Sequence, residues 1–376
     1  MNILITGAKG FIGKNLIAEL KNIKEGKAIG YNVSPDEYDI DTDQTLLYDY
    51  CRNADFVFHL AGVNRPKEQG EFMAGNFGFT SILLNTLKKY GNKCPVMLAS
   101  SIQAELKNPY GLSKKAGEEL LFNYGKETGA EVCVFRFPNV FGKWCRPNYN
   151  SAVATFCHNI AHDLPIQVND RSVNMALVYI DDVIRELIGL LQGCVFKEDR
   201  FCKVRTEHRI TLGEIVDLIY FFRESRKDLL VPDLSDAFTK KLYSTYLSYL
   251  PENGFSYPLT MHADHRGSFT EFLKSPDRGQ ISINISKPGI TKGEHWHHTK
   301  NEKFLVVSGK GVIRFRKPDE EKIIEYFVSD EKLEVVDIPV GYTHNIENLG
   351  DTDMVTVMWV NEIFDPEKPD TYFLNV

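Results

Sequence analysis

The sequence has 376 residues and carries 51 acidic against 44 basic side chains, for a formal net charge of −7. At roughly 100–200 residues per domain this length predicts two or three domains, and the acidic balance argues against nucleic acid as the main partner, because phosphate binding needs a basic face. No apolar run approaches the roughly 20 residues that cross a bilayer. Seven cysteines without metal-ligand spacing predict free thiols in a reducing cytoplasm.

In the first half of the chain, strand-like apolar runs alternate with helical patterns. The predicted strands are Asn2–Thr6, Ala54–Leu60, Val96–Ser101 and Glu131–Phe137, and the predicted helices are Phe11–Lys21 and a stretch around Phe77–Tyr90. Such alternation is typical of a parallel, doubly wound α/β sheet of the Rossmann type. We expect this fold for residues 1–250.

Short strands dominate after residue 255. They are predicted at Gly279–Ile285, Glu302–Ser308, Gly311–Arg316, Ile323–Val328, Leu333–Ile338 and Asp353–Val360. A helical, tyrosine-rich stretch at Tyr243–Tyr249 and a turn at Pro251–Gly254 precede them, and the domain boundary is placed there. Regularly spaced short strands predict an all-β barrel or jelly roll for residues 251–376.

A glycine-rich turn follows the first predicted strand. It contains Gly7, Lys9, Gly10, Phe11, Ile12 and Gly13. Glycines let the backbone turn tightly and approach a pyrophosphate, and the start of the next helix presents N–H groups to it. The alternative is a tight strand–helix connection without a ligand, but the position directly after the first strand favours a dinucleotide site.

The choice of dinucleotide depends on the end of the second strand, where an NAD-preferring site usually has an acidic residue. We assign that strand to Ala28–Asn32, which offers none, and Lys9 could meet a 2′-phosphate, so NADPH is the predicted cofactor. Asp41 and Asp55 are further candidates for the cofactor site, although Asp55 is equally well explained as a surface turn residue. Leu60-Ala61-Gly62 ends a strand in small residues where the nicotinamide ribose could lie.

Tyr110 and Lys114 stand four residues apart, a spacing that places both on one face of a helix. The ammonium can lower the phenol pKa and hold the nicotinamide ribose, and the phenol can give a proton to a carbonyl oxygen that accepts hydride. Ser101, at the end of a predicted strand, can hold the same oxygen, and Ser100 is its rival for this role.

These residues resemble the extended short-chain dehydrogenase/reductase family, as do the segments Arg136–Gly142 and Tyr179–Val183. The resemblance covers roughly residues 1–190. It implies that Asn139 and the segment after it help to hold a nucleotide-sugar diphosphate. The alternative for Asn139 is a backbone cap in a turn.

Three histidines and a glutamate in the second half have metal-ligand spacing. His295 and His297 are two apart and therefore share one side of a strand, Glu302 follows five residues later, and His344 completes the set. Such nitrogen and oxygen ligands suit a divalent transition metal, and zinc is the first choice. The motifs resemble those of the cupin family. His298 would lie on the opposite face, as a surface residue.

A second resemblance, to the nucleotide-sugar 3,5-epimerases, rests on residues 264–271 and 280–295. It implies that Arg266 and Glu271 face a nucleotide-sugar and that His295 is a general base. That role conflicts with metal ligation by the same imidazole, and the tyrosine acid of these epimerases is not evident at residues 356–361. Epimerisation at one centre is easier to support, with Lys292 as the candidate for proton transfer or oxyanion stabilisation; the alternative for Lys292 is a solvated strand-end lysine.

Taken together, the two halves resemble the bifunctional capsular polysaccharide biosynthesis enzymes that make a UDP-L-fucosamine precursor. The resemblance implies a UDP-linked 4-keto-6-deoxy amino sugar, C3 epimerisation in the cupin half, and NADPH-dependent reduction at C4 in the first half to a UDP-2-acetamido-2,6-dideoxy-L-talose. It also implies zinc and a homo-oligomer, with a dimer expected. The alternative is a monofunctional NAD(P)H-dependent 4-keto-sugar reductase whose metal-containing cupin is structural or dimerising.

Overall fold

The computed structural model describes residues 1–25 and 32–376, which form two compact units. The first unit contains Met1–Tyr220 and Lys240–Pro251, and the second contains Phe221–Thr239 and Glu252–Val376. The division predicted near residue 250 stays a prediction, because compactness alone does not show that either half folds independently. Within the described ranges, no helix is both long and apolar enough to cross a membrane.

The first unit is a Rossmann-type α/β fold. Its strands are β1 (Asn2–Thr6), β2 (Ser34–Tyr38), β3 (Phe56–His59), β4 (Val96–Ser101), β5 (Val132–Phe137), β6 (Asn139–Phe141), β7 (Asn174–Tyr179), β8 (Lys197–Glu198), β9 (Phe201–Cys202) and β10 (His208–Thr211). Seven of them form one sheet in the order β2-β1-β3-β4-β5-β9-β8, with β1 to β5 parallel, and a second sheet has the order β10-β7-β6.

Helices connect these strands. They are α1 (Phe11–Lys24), α2 (Gln44–Asn53), α3 (Gly70–Phe72), α4 (Phe79–Lys89), α5 (Pro109–Thr128), α6 (Ala152–Ala161), α7 (Ile180–Leu190), α8 (Leu212–Ser225), which runs from the first unit into the second, and α9 (Ala237–Leu247). A π-helical turn, Met73–Gly78, joins α3 to α4, and a 3₁₀ turn, Ile102–Glu105, follows β4.

The central sheet is buried on both faces, as expected for parallel strands covered by helices. In β1, Ile3 and Ile5 pack into one apolar cluster, and Leu4 packs into a second cluster. Helix α1 covers the first face through Leu16, whereas α4 covers the second through Leu83. This double burial explains why β1, β3 and β4 are continuous apolar runs in the sequence.

The second unit consists of two antiparallel sheets. Its strands are β11 (Met261–Asp264), β12 (Gly267–Ser275), β13 (Gly279–Ser286), β14 (Thr291–Trp296), β15 (Glu302–Ser308), β16 (Lys310–Arg316), β17 (Ile324–Ser329), β18 (Val335–Ile338), β19 (Thr343–Asn348), β20 (Met354–Val360) and β21 (Tyr372–Phe373). The sheet orders are β11-β12-β13-β20-β15-β18 and β17-β16-β19-β14-β21. This all-β arrangement agrees with the predicted cupin-like fold.

One wall of the second unit's interior is polar. On β13 the buried side chains are Gln280, Ser282, Asn284 and Ser286. Asn284 pairs across the sheet with Thr356, which pairs in turn with Val306 of the apolar cluster, so all three side chains face the core. The interior therefore combines an apolar half with a hydrogen-bonding half.

Candidate functional site

The glycine turn has the geometry of a pyrophosphate site. Gly7 has a φ of +71°, and a methyl group there would come within 2.7 Å of the backbone nitrogen of Ala61. Gly10 caps α1 without a side-chain hydrogen bond. The first N–H groups of this helix are thus left without a side-chain partner, which suits an anionic ligand.

The second strand lies later in the chain than predicted. That strand is Ser34–Tyr38, and Asp39 follows it directly, so the expectation that no acidic residue follows it is wrong; residues 28–31 of the assigned range lie outside the described residues. The Asp39 carboxylate accepts the backbone N–H of Lys9 at 2.7 Å and that of Ile40 at 2.8 Å. Asp39 thereby ties the glycine turn to the second strand.

Lys9 and Asp41 form an exposed ion pair beside this turn. The hydrogen bond between them raises the pKa of Lys9 and lowers the pKa of Asp41. Asp55, in contrast, lies before β3, where it accepts the backbone N–H of Asn2 at 2.6 Å. The start of β3 is at the opposite edge of the parallel sheet from the glycine turn, so the assignment of Asp55 to the cofactor site is wrong.

The segment Leu60–Gly62 follows β3 and approaches the catalytic candidates. A methyl group on Gly62 would come within 2.8 Å of both Lys114 Nζ and Asn76 Oδ1. The backbone at this position therefore lies close to the lysine that is expected to hold the nicotinamide ribose, and a side chain there would have to displace the ends of Lys114 and Asn76.

Tyr110, Lys114 and Ser101 meet as the spacing predicts. Both Tyr110 and Lys114 lie in α5, and Lys114 Nζ is 5.8 Å from the centre of the Tyr110 ring. Burial raises the pKa of Tyr110, and a hydrogen bond with Ser101 partly offsets this shift. Burial lowers the pKa of Lys114 to about 8, against the opposing charge of Glu118.

Ser100 has a different partner. Its hydroxyl donates to Glu118 at 2.5 Å, and the Arg136 guanidinium donates twice to the same buried carboxylate, at 2.9 and 2.6 Å. Of the two adjacent serines, Ser101 therefore belongs with Tyr110, whereas Ser100 belongs to a buried ionic network below it.

Asn76 is a site residue that the sequence analysis missed. Its side chain donates to the Val63 carbonyl and to the Ser113 hydroxyl, and its oxygen accepts the Val63 N–H. It lies in the π-helical turn Met73–Gly78, and single π turns are frequent at functional sites. No local pattern marked this residue, because its partners Val63 and Ser113 come from other parts of the fold.

Asn139 is less distinctive. Its amide donates to the Ala176 carbonyl at 3.2 Å across the β6–β7 pair, and the residue is exposed. The alternative of a backbone cap in a turn does not apply, because Asn139 lies in a strand, and the diphosphate role stays a prediction.

The four predicted metal ligands converge in the second unit. One ligand atom from each of His295, His297, Glu302 and His344 lies within 4.8 Å of the others. Glu302 Oε2 is 3.5 Å from His297 Nε2 and 3.1 Å from His344 Nε2. His298 lies outside this cluster, against Trp296 and Tyr372, as predicted for the opposite face.

The donor set fits a divalent cation. His297 Nε2, Glu302 Oε2 and both ring nitrogens of His344 are buried without a hydrogen-bond partner, a costly arrangement unless something binds them. Burial lowers the pKa of His295 to about 4, so its ring is neutral at pH 7. Burial alone would raise the pKa of Glu302, but the facing rings of His297 and His344 lower it to about 2. Neutral imidazoles and a carboxylate are the forms that ligate zinc.

Lys292 is not a solvated strand-end lysine. Its ammonium donates to Asn284 Oδ1 at 2.8 Å and to the Ile285 carbonyl at 2.7 Å, and burial lowers its pKa.

Arg266 pairs with Asp264 at 2.7 Å. Glu271 pairs with Lys274, so the structure does not join Arg266 and Glu271 to each other.

Comparisons with known proteins match both units. Residues 3–199 match the NAD dependent epimerase/dehydratase family, and residues 262–372 match the polysaccharide biosynthesis C-terminal domain. The chain is 46% identical over 376 residues to UDP-2-acetamido-2,6-beta-L-arabino-hexul-4-ose reductase of Pseudomonas aeruginosa, with 100% of this chain and 99% of that protein covered.

Solved structures are similar over the whole length. The capsular polysaccharide assembling protein CapF from Staphylococcus aureus has a TM-score of 0.94 at 58% identity, and all of both chains is covered. A structure of CapF with the inhibitor 3-isopropenyl-tropolone has a TM-score of 0.89 at 54% identity, again with 100% of each chain covered.

Proposed function

The chain belongs to the capsular polysaccharide biosynthesis enzymes that join an NAD dependent epimerase/dehydratase domain to a polysaccharide biosynthesis C-terminal domain, and on this premise we propose that it modifies a UDP-linked sugar at two sites. The substrate is a UDP-2-acetamido-2,6-dideoxy-4-hexulose. The second unit inverts C3, and the first unit then reduces the C4 ketone to give the L-talose derivative for N-acetyl-L-fucosamine synthesis.

The observation that carries the reductase proposal is the meeting of Ser101, Tyr110 and Lys114 beside the glycine turn. The bound nicotinamide supplies the hydride. Tyr110 gives a proton from its hydroxyl to the substrate oxygen. Ser101 hydrogen-bonds with the Tyr110 phenol and with the substrate oxygen, and so keeps the two groups aligned for proton transfer. Lys114, anchored to the Ala99 carbonyl at 3.2 Å, holds the ribose and places a positive charge near the phenol.

NADPH is the proposed dinucleotide. Each carboxylate oxygen of Asp39 accepts one backbone N–H, so this acid holds the glycine turn in place. The Lys9 ammonium is exposed and paired with Asp41. A 2′-phosphate would take the place of Asp41 on Lys9, a charge-assisted contact that NADH lacks.

A metal ion, zinc in this proposal, would be held by His295, His297, Glu302 and His344. It would act as a Lewis acid on the C4 ketone oxygen and make the neighbouring C3–H more acidic. Lys292 is the proposed proton carrier, since burial lowers its pKa toward the working pH.

Reaction order follows from the chemistry. The C3–H is acidic only while C4 is a ketone, so epimerisation precedes reduction. We also propose a homodimer that works in the cytoplasm, where its free cysteines stay reduced. The competing function is a 4-keto-sugar reductase whose metal-containing second unit is structural.

One assay separates these functions. The enzyme is given the 4-keto sugar in deuterated water, first without and then with NADPH, and the sugar is analysed by nuclear magnetic resonance. Deuterium at C3 before NADPH is added supports two activities. Reduction with NADPH but no exchange would leave the second unit as a structural module.

A further inference from the structure

The segment that contains Asp370 lies against the loop between two of the proposed metal ligands. Strand β21 pairs with β14 through His295 and Phe373, and Asp370 lies two residues before β21. Residues 298–301 join His297 to Glu302, and they include the turn 298–300. Asp370, half-buried, contacts this loop through both its backbone and its side chain.

The backbone contact fixes the tautomer of a ligand. His297 Nδ1 lies 2.5 Å from the Asp370 carbonyl oxygen. Because a carbonyl can only accept, Nδ1 carries the proton and Nε2 presents its lone pair. Nε2 is the atom of this ring that is buried without a partner. Ligand histidines in metalloproteins commonly donate their other N–H to such a group.

The side-chain contact fixes the loop. One carboxylate oxygen of Asp370 accepts the N–H of His298 at 3.0 Å, and the other accepts those of Thr299 at 2.8 Å and Lys300 at 2.9 Å. The Thr299 hydroxyl donates to the same carboxylate at 3.1 Å. A single side chain thus orders the turn that sets the spacing of His297 and Glu302.

The backbone of Asp370 has a φ of +40°, a region that L-residues rarely adopt and that aspartate and asparagine tolerate best. Glycine would fit this conformation without strain. A substitution by glycine therefore removes the carboxylate while keeping the carbonyl that receives His297.

We propose that Asp370 is a positioning residue of the metal centre, which aims His297 through its carbonyl and fixes the 298–300 turn through its carboxylate. The proposal rests on the proposed function, because it assumes that the four-residue cluster binds zinc. The alternative is a loop cap that has no influence on metal binding.

The test compares Asp370→Gly and Asp370→Asn in the full chain with Asp365→Asn as the control. The Asp365 carboxylate accepts the N–H of Glu367 within its own turn. Zinc affinity is measured by competition with a chromophoric chelator, and ligand geometry by the absorption spectrum of the cobalt form. Asp370→Gly should weaken zinc binding by about 10–100-fold and change the cobalt spectrum. Asp370→Asn should lose less, and Asp365→Asn should match the wild type.

The outcomes separate the two proposals. If the wild type binds zinc, His344→Ala does not, and Asp370→Gly equals the wild type in affinity and spectrum, the positioning role is overturned while the metal centre stands. If wild type and His344→Ala bind zinc equally, the metal centre fails and the positioning role fails with it. Should Asp370→Gly not fold, Asp370→Asn decides by the same criteria.

Discussion

The Ser100 hydroxyl donates to the buried carboxylate of Glu118 at 2.5 Å, whereas the next residue, Ser101, hydrogen-bonds with Tyr110. Neighbouring serines at the end of β4 point to opposite sides, because side chains alternate along a strand. Ser101 contacts the phenol that is proposed as the proton donor, and Ser100 contacts a buried carboxylate that needs a partner. This division can be tested directly.

Substituting each serine should give two distinct effects. Ser101→Ala removes a donor to the reacting oxygen, and kcat for ketone reduction should fall by about 10²–10³. Ser100→Ala leaves the Glu118 carboxylate with one donor fewer and should lower the free energy of unfolding by about 1–3 kcal/mol with little change in kcat. Steady-state kinetics and chemical denaturation of both variants give the answer, and a reversed pattern would assign the catalytic role to Ser100.

Tyr110→Phe should stop reduction without affecting the second unit. Loss of the proton donor should lower the rate of NADPH oxidation by about 10²–10⁴. Deuterium exchange at C3, followed without NADPH, should remain at the wild-type rate. Equal loss of both activities would contradict the proposal of two independent sites.

The pH dependence of reduction should reflect Lys114. Its ammonium is the active form, and its pKa is lowered to about 8, so kcat/KM should decline as the pH rises above this value. Between pH values of about 8 and 10.5, the ordinary pKa of lysine, the unfolded chain keeps a proton on this lysine that the folded protein has lost. The free energy of unfolding therefore rises with pH in this range.

Lys114→Met is the control for this prediction. It should abolish the decline of kcat/KM at high pH together with most of the activity. It should also remove the contribution of Lys114 to the rise in the free energy of unfolding between pH 8 and 10.5. An unchanged alkaline limb in a partially active variant would assign the titration to another group.

Lys292→Ala should separate proton transfer from metal binding. The ammonium is hydrogen-bonded to Asn284 and to the Ile285 carbonyl and is not one of the four clustered ligands. Deuterium incorporation should fall at least about 100-fold, while the zinc content, measured by elemental analysis, should stay at the wild-type level. Loss of zinc in this variant would show that Lys292 supports the fold of the centre and is not the proton carrier.

Lys9→Ala should weaken the preference for NADPH. The variant would lose a charge-assisted hydrogen bond to the 2′-phosphate, so KM for NADPH should rise roughly 10-fold while KM for NADH changes little. Lys14→Ala, which alters a lysine of α1 outside the Lys9–Asp41 pair, serves as the control. Equal effects on both dinucleotides would argue that Lys9 does not contact a 2′-phosphate.

The sequence predicted the elements with strong apolar periodicity. Strands β4 and β15 have the predicted bounds, because each packs apolar side chains into a core. Strand β2 was missed, since Ser34–Tyr38 is polar and lies at the edge of its sheet, where burial does not impose an apolar pattern. A wrongly placed strand then led to the wrong statement about the acidic residue that follows it.

The candidate sites show the same limit. Short-range spacing was enough to pair Tyr110 with Lys114 and His295 with His297. Contacts that depend on the complete fold could not be predicted: Asp370 reaches the 298–300 turn from 70 to 72 residues away, and Asn76 donates to Ser113 across a helix interface. Such residues have no local motif, because tertiary packing alone gives them their partners.

Residues 221–239 belong to the second unit although the chain afterwards returns to the first, and this affects how the protein can be divided. Within Phe221–Thr239, the Leu229 carbonyl accepts the Lys274 N–H at 2.7 Å, and the Val231 N–H donates to the Lys274 carbonyl at 2.8 Å. A fragment that begins at residue 252 would leave these β12 groups unpaired, and a fragment that ends at 251 would retain the segment without its strand. Exchange of the second unit between relatives therefore requires residues 221–239 to move with it, so a single recombination point does not yield two complete halves.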